Sequence, residues 1–394
     1  MNDLNKSRIE SLDLLRGVVM VIMALDHTRD FFHFGAFVYD PTDMATTTPI
    51  LFFTRFITHF CAPVFIFLTG TSAFLWGRKR TKTELFKFLF TRGLWLIFIG
   101  EVVVNFIWWF DTSFEFFIFQ VLWAIGASMM ILSVLIYLPP KALLVLAILL
   151  IAGHNFLDGI RMEGLSFGAI IWYILHQPAF IPLSDRVGIY LEYPILPWIG
   201  VMALGYCFGK FYSFEFKTEM RKKWLLWLGL GAISLFVILR SINVYGDLTP
   251  WSTQKDFVYT TLSFLNVTKY PPSFAYLLIT IGPALLFLSS VEHVKNKLTN
   301  FFIVFGRVPF FYYILHVLFI HLFAMFGLTI TGKDWRLMLM SNDKWESHQY
   351  DNYGYPLWIV YLVWIGIVIL LYPLSKMYMT YKANNKEKWW LSYL

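Results

Sequence analysis

The sequence predicts an all-α polytopic membrane protein, with about ten transmembrane helices in one bundle and both termini cytoplasmic. Three observations carry this. The 394 residues are 58% hydrophobic, 20% aromatic and 14% charged, with a mean hydropathy of +0.61; a soluble domain carries roughly 25% charged residues. Ten apolar segments approach the roughly 20 residues that a bilayer span requires. The segments between them alternate between basic and poorly charged, as membrane orientation demands.

The spans are expected at 12–34, 50–77, 85–110, 114–138, 141–158, 194–211, 224–244, 273–291, 300–328 and 355–375. The basic segments are "MNDLNKSR", "GRKRTK", Lys141 after "LPP", "KFYSFEFKTEMRKK", "HVKNK" and the tail "KMYMTYKANNKEK". Read as cytoplasmic, they hold more than half of the 32 Lys and Arg. The opposite segments are "GAFVYDPTDMATTTP", "DTSFE" and three longer loops near 159–193, 245–272 and 329–354. The first of these loops contains "LSFGAIIWYILHQPAFIPL", which reads as a re-entrant or interfacial element near 165–183, or as an extra span. The charge pattern prefers the former, because a full span would invert everything downstream.

The net charge of +7 follows the orientation pattern, so no nucleic acid partner is implied. Cys61 and Cys207 both lie in apolar runs and offer no disulfide framework. The first apolar run is interrupted by Asp13 and Arg16 and lacks a small-residue cleavage site, so no signal peptide is expected. No linker or polar tract divides residues 1–394, which read as a single domain.

The first span ends in "MALDHTRDFFH", and ionisable groups at membrane depth usually face a protein interior or a wet cavity. At 1.5 Å of rise per residue, His27 lies roughly 22 Å from the basic side, and His59 roughly 14 Å in from the other. Glu101 and His316 each fall about 16 residues, roughly 24 Å, up from the basic side. Three histidines, a glutamate and Asp26 therefore share one slab. Asp13, Arg16, Met20, Met23, His27 and Asp30 recur at steps of three and four, one stripe of a helix. Asp13 and Arg16 can neutralise each other near the inner surface. The stripe joins a cationic site at one surface to a histidine near the other.

Plainer readings stand beside these. A lone membrane histidine is more often an interhelical hydrogen-bonding group, and His321 lies off the Tyr312–His316 face. Arg55 reads as a side chain snorkelling to the interface, and Arg92 as part of the orientation signal. Adjacent residues on a helix point about 100° apart, so Asp26 is not expected to orient His27 directly.

The opening "RIESLDLLRGVVMVIMALDHTRDFF" resembles bacterial membrane proteins similar to the catalytic domain of heparan-α-glucosaminide N-acetyltransferase, within the wider transmembrane acyltransferases. "THFCAPVFIFLTGTSAFL", "YPILPWIGVMALGYCFGK", "TKYPPSFAYLLITIGPALL" and "FGRVPFFYYILHVLFIH" fit the same pattern. The resemblance implies an integral protein of the bacterial inner membrane. It implies transfer of an acyl group, acetyl first, from cytoplasmic acetyl-CoA to a hydroxyl or amine acceptor, a sugar by preference, on the far side. No metal is expected, and a homodimer stays open. The lysosomal enzyme of the family has asparagine at the spacing of His27, with its proposed catalytic histidine further along, which keeps His33 as a second candidate base.

A neutral imidazole can take the acceptor's proton at working pH. His27 is the preferred base. Glu101, backed by Asp26 or Asp30, is the expected partner for its charged form. His59, His316 or Tyr313 could donate to the thioester oxygen. Arg16 and Arg307 suit CoA phosphates, and Lys269 suits the acceptor or the acyl end of the channel. Direct transfer and an acyl-histidine relay both fit. The alternative function is a proton-coupled transporter or lipid flippase using the same His/Glu cluster.

Overall fold

The computed structural model describes residues 9–341 and 347–392; the basic segment 1–8 lies outside them. The fold is mostly helical. Helix α1 (Glu10–Phe32) is followed by α2 (Pro49–Thr58) and α3 (Cys61–Gly77). The expected second span thus breaks at His59–Phe60. Pro63 has no N–H to give to the carbonyl of His59 four residues back. That carbonyl instead accepts the Tyr276 hydroxyl at 2.8 Å.

Helix α4 (Lys82–Ile99) opens on a capping box of Thr81 and Glu84 and runs through a π turn (Gly100–Val104) into α5 (Asn105–Trp109). The expected fourth span begins instead as a strand, β1 (Phe116–Phe119), and only then becomes α6 (Val121–Leu135). Next come α7 (Pro140–Gly153), α8 (Phe167–Leu175), β2 (Ala179–Pro182), β3 (Gly188–Leu191) and α9 (Leu196–Phe208). The chain is therefore not purely helical: β3 pairs in parallel with β1 and antiparallel with β2. A run such as "FFIF" is apolar enough to pass for helix, but aromatics also favour strands. The side chain of Asn105 holds β1 at both the Phe116 carbonyl and the Ile118 amide. The extra span near 165–183 is excluded, because the nine residues of α8 reach only about 14 Å and Pro178 follows closely.

The rest of the bundle is α10 (Thr218–Ile242), α11 (Phe257–Leu265), α12 (Phe274–Val291), α13 (Lys297–Arg307), α14 (Pro309–Ile330) and α15 (Leu357–Asn384). Pro309 splits the expected ninth span by forcing Val308 out of helical geometry. Among the described residues, seven helical units are long and apolar enough to cross a membrane. They are Pro49–Gly77, Lys82–Trp109, Pro140–Leu157, Thr218–Ile242, Phe274–Val291, Pro309–Ile330 and Leu357–Asn384. Of the ten segments expected, α6 and α9, with 15 and 13 residues, fall short of this length, and α1 carries five charges between Asp13 and Asp30. This is an integral membrane protein by length and composition of its helices.

Two close crossings fix the frame. A Cβ on Gly70 would lie 2.0 Å from the Met202 carbonyl oxygen, and one on Gly205 2.0 Å from that of Phe67, so α3 and α9 touch backbone to backbone. Gly17 and Gly306 do the same for α1 and α13. At one end of the bundle, Lys295 and Arg307 reach Glu10 at 2.7 and 3.7 Å, and Arg221 pairs with Glu292. This is the basic end. At the far end, the chain after α1 bridges from His33 to Tyr355, and Asn266 donates to the Thr42 carbonyl. Cys61 and Cys207 are both free.

Candidate active site

The stripe on α1 does what its spacing implies. Arg16 donates to Asp13 at 3.0 Å, to the Gly306 carbonyl at 3.3 Å and to Ser72 at 3.1 Å. Above it lies a cavity of about 380 Å³. Arg16, Arg92, Arg307 and Lys382 line it, along with Met20, Met23, Trp76, Phe88 and Met129. It ends at Tyr313, Val121 and Leu122. Around its basic mouth a groove of about 860 Å³ shares Arg307 and Lys382 and adds Arg221, Lys295 and Lys386.

A second cavity of about 270 Å³ begins on the other side of Tyr313 and Val121. Its ionisable lining is Asp26, His27, Asp30, Arg55, Glu192 and Lys269. Its aromatic walls are Trp108, Trp109, Tyr193, Tyr270 and Tyr313. Ile118 of β1 and Glu192 after β3 close it, so the small sheet roofs this chamber. Lys269 and Tyr270 arrive on the 266–273 loop, held from below by Asp247. That carboxylate accepts from the Thr268 amide at 3.0 Å, the Thr268 hydroxyl at 2.8 Å and the Ser273 hydroxyl at 2.6 Å. Burial, with Arg55 nearby, brings the Lys269 ammonium down to about 8. Burial raises the Glu192 carboxyl, against the pull of Lys269.

His27 stands at the wall between the two cavities. Its Nδ1 is 2.8 Å from Nε2 of His316, and its ring meets Trp108 and Tyr313 edge-on at 4.8 and 5.9 Å. Asp26 points elsewhere, as expected. It takes two bonds from Arg55, at 2.6 and 2.8 Å, and one from Arg29 at 3.0 Å. Arg29 also reaches Asp30 at 2.6 Å. Arg55 is therefore drawn inward to a carboxylate, with 14% of its side chain exposed, and is not a snorkelling group.

Of the expected site residues, His27, His316 and Tyr313 come together, while Asp26 and Lys269 line the same chamber as His27 and Tyr313. Arg16 and Arg307 share the cavity at the basic end. Glu101 does not reach His27. It lines a small separate pocket with Trp108, Trp123 and Tyr313, and its Oε2 is buried with no hydrogen-bond partner. His59 packs against Tyr276, ring centroids 5.4 Å apart, with Nδ1 unpartnered. His33 follows α1, its ring tilted against Phe34 with centroids 4.6 Å apart, and lies outside the chamber lining. His321 is tied to the Ile107 and Met338 carbonyls, both at 2.8 Å, a structural fastening. Glu192, Tyr270, Arg92 and Lys382 are cavity residues that sequence reasoning missed. Glu192 directly precedes "YPILPW", and that adjacency was the available signal.

Fold and site define an integral membrane protein with a histidine pair, His316 fully buried and His27 half-buried in the lining of the far chamber, beside a second, basic cavity. The family described as heparan-alpha-glucosaminide N-acetyltransferase, catalytic, matches residues 8–252, and the chain belongs to it. That is a family of membrane acetyltransferases. The match includes His27, Asp26, Glu101 and Arg16, and stops short of Lys269, Arg307, Tyr313 and His316. No curated protein matches the chain.

Proposed function

We propose that the chain transfers an acyl group, acetyl by family, from acyl-CoA held at the basic end to an acceptor bound in the far chamber. The observation that supports this is the pair of cavities meeting at Tyr313, one basic and elongated, the other acid–base and aromatic. Arg16, Arg92, Arg307 and Lys382 suit the phosphates of CoA, and the apolar wall between them and Tyr313 suits a pantetheine arm. Aromatic faces with Glu192, Asp30 and Lys269 suit a sugar hydroxyl or amine acceptor.

The acceptor's lone pair attacks the thioester carbonyl. Its proton passes to His27. Tyr313 donates to the carbonyl oxygen as it gains charge. The carbon–sulfur bond breaks, and the thiolate takes the proton back from His27. Glu101 and His59 stand behind Trp108 and Tyr276, outside this exchange in the present arrangement.

We read the ten apolar segments as one domain in a bacterial inner membrane, basic end inward, both termini cytoplasmic. Single cysteines at Arg80 and Asp43 should be labelled from opposite faces; labelling from one face overturns the direction. His27→Ala should lower acceptor-dependent thiol release from acetyl-CoA by about 10²–10⁴-fold, with CoA binding retained. His33→Ala should do far less. Intact thioester in the wild type, together with ion-gradient-dependent substrate uptake, would favour a transporter instead.

A further inference from the structure

The hydrogen bonds around His316 decide which nitrogen of His27 can act. His316 is fully buried on α14. Its Nδ1 lies 2.8 Å from the carbonyl oxygen of Tyr312. A carbonyl only accepts, so Nδ1 carries the hydrogen. A neutral imidazole has one N–H, which leaves Nε2 of His316 with its lone pair. That lone pair faces Nδ1 of His27 at 2.8 Å. The two rings are within 6° of parallel with centroids 4.9 Å apart. With the nitrogens at 2.8 Å, the rings meet edge to edge, the geometry of an in-plane hydrogen bond. His27 Nδ1 is then the donor, and the lone pair of His27 sits on Nε2.

We propose that His316 is a positioning residue that fixes His27 as the Nδ1–H tautomer and so presents Nε2 as the base. This rests on the transferase reading above. It also reassigns His316, which the sequence offered as a donor to the thioester oxygen. Its lone pair is already committed to His27 and its N–H to Tyr312.

Three features make the arrangement stiff. The Tyr312 ring lies against His316 with centroids 5.0 Å apart and planes within 19°. The accepting carbonyl is one helical turn back on the same helix. Trp108 and Tyr313 pack edge-on against His27 from other sides. Among the described residues no group hydrogen-bonds His27 Nε2, and His27 lines the far chamber. When Nε2 takes the acceptor's proton, the Nδ1–H···Nε2 bond to His316 becomes charge-assisted and strengthens. A neutral histidine here fills the orienting role that a carboxylate takes in a Ser-His-Asp triad.

The test reads the tautomer directly. The full chain is labelled with ¹⁵N-histidine in lipid nanodiscs, and the His27 signals are assigned by difference against His27→Gln. The wild type should show His27 protonated at Nδ1 and unprotonated at Nε2. His316→Leu should lose that signature, while His316→Gln, whose amide oxygen can accept, should keep it. A wild-type His27 protonated at Nε2, or a signature unchanged in His316→Leu, overturns the proposal. Thiol release from acetyl-CoA, with glucosamine as probe acceptor, is measured on the same samples. His316→Leu should lower kcat at least about 10²-fold at unchanged KM for acetyl-CoA, with partial rescue in His316→Gln. Normal kcat in His316→Leu with the signature lost overturns the positioning role. The predicted signature without wild-type thiol release sinks the transferase reading and leaves the tautomer assignment standing.

Discussion

Removing the Asp26 carboxylate should damage the fold before it damages any chemistry. Asp26 accepts three N–H bonds, two from Arg55 at 2.6 and 2.8 Å and one from Arg29 at 3.0 Å. Arg29 keeps Asp30 at 2.6 Å after the change. Arg55 has no such reserve: among the described residues, Asp26 is the carboxylate within 4.0 Å of it. Asp26→Ala therefore strands a guanidinium whose side chain is 14% exposed. Breaking a buried pair from one side costs about 3–5 kcal/mol, a large share of the roughly 5–15 kcal/mol that holds a typical protein folded. Replacing both partners by apolar groups is commonly near neutral. Asp26→Leu with Arg55→Met should thus be more stable than either single variant, with a coupling of about 2–4 kcal/mol. Denaturation in mixed micelles measures all four chains of the cycle. Additive losses, or an Asp26→Ala protein of native stability that merely fails to transfer, would refute the reasoning.

Three further outcomes follow from the same geometry. Arg16→Ala should weaken acetyl-CoA binding about 10–100-fold, the worth of one or two charged hydrogen bonds; titration calorimetry showing unchanged affinity would leave the Asp13–Arg16 pair a structural device. Lys269 titrates near 8 in the folded chain and at about 10.4 when unfolded. The unfolded chain therefore holds the extra proton between those values, and stability should rise with pH across that window. The melting temperature of wild type minus that of Lys269→Met, followed from pH 7 to 11, should climb there; a falling difference contradicts the sign. Gly70→Ala puts a methyl 2.0 Å from the Met202 carbonyl and should cost about 1–3 kcal/mol or more, read as a lowered melting temperature, whereas Gly231→Ala, with open space around its Cβ position, should not.

Some of this architecture is legible in one dimension and some is not. The α1 stripe was readable because it lies on one uninterrupted helix, where spacing fixes both height and direction. Height alone carried over to the other helices. His316 turned out to face His27, while Glu101 at a similar level did not. Rise per residue says nothing about azimuth, and Glu101 lies within a π turn whose wider i→i+5 winding shifts the face of everything around it. Arg55 looked like an interface anchor because its partner Asp26 sits 29 residues earlier on another helix. The breaks near Pro63 and at Pro309 are marked by proline, although the apolar runs continue through them. The strand β1 was hidden in the same way, since its partner β3 is about 70 residues on.

The thin partition at Tyr313 and Val121 bears on the energetics of the whole cell. A membrane under a potential charges about 2.3 kcal/mol for each elementary charge carried through 100 mV. Coenzyme A, with its phosphates, would incur that toll several times over; an acetyl group is neutral and incurs none. If acetyl passes one way while the acceptor's hydrogen passes the other way to the thiolate, as proposed above, no net charge crosses and the exchange does no electrical work per turnover. On that reading the membrane potential neither drives nor opposes turnover.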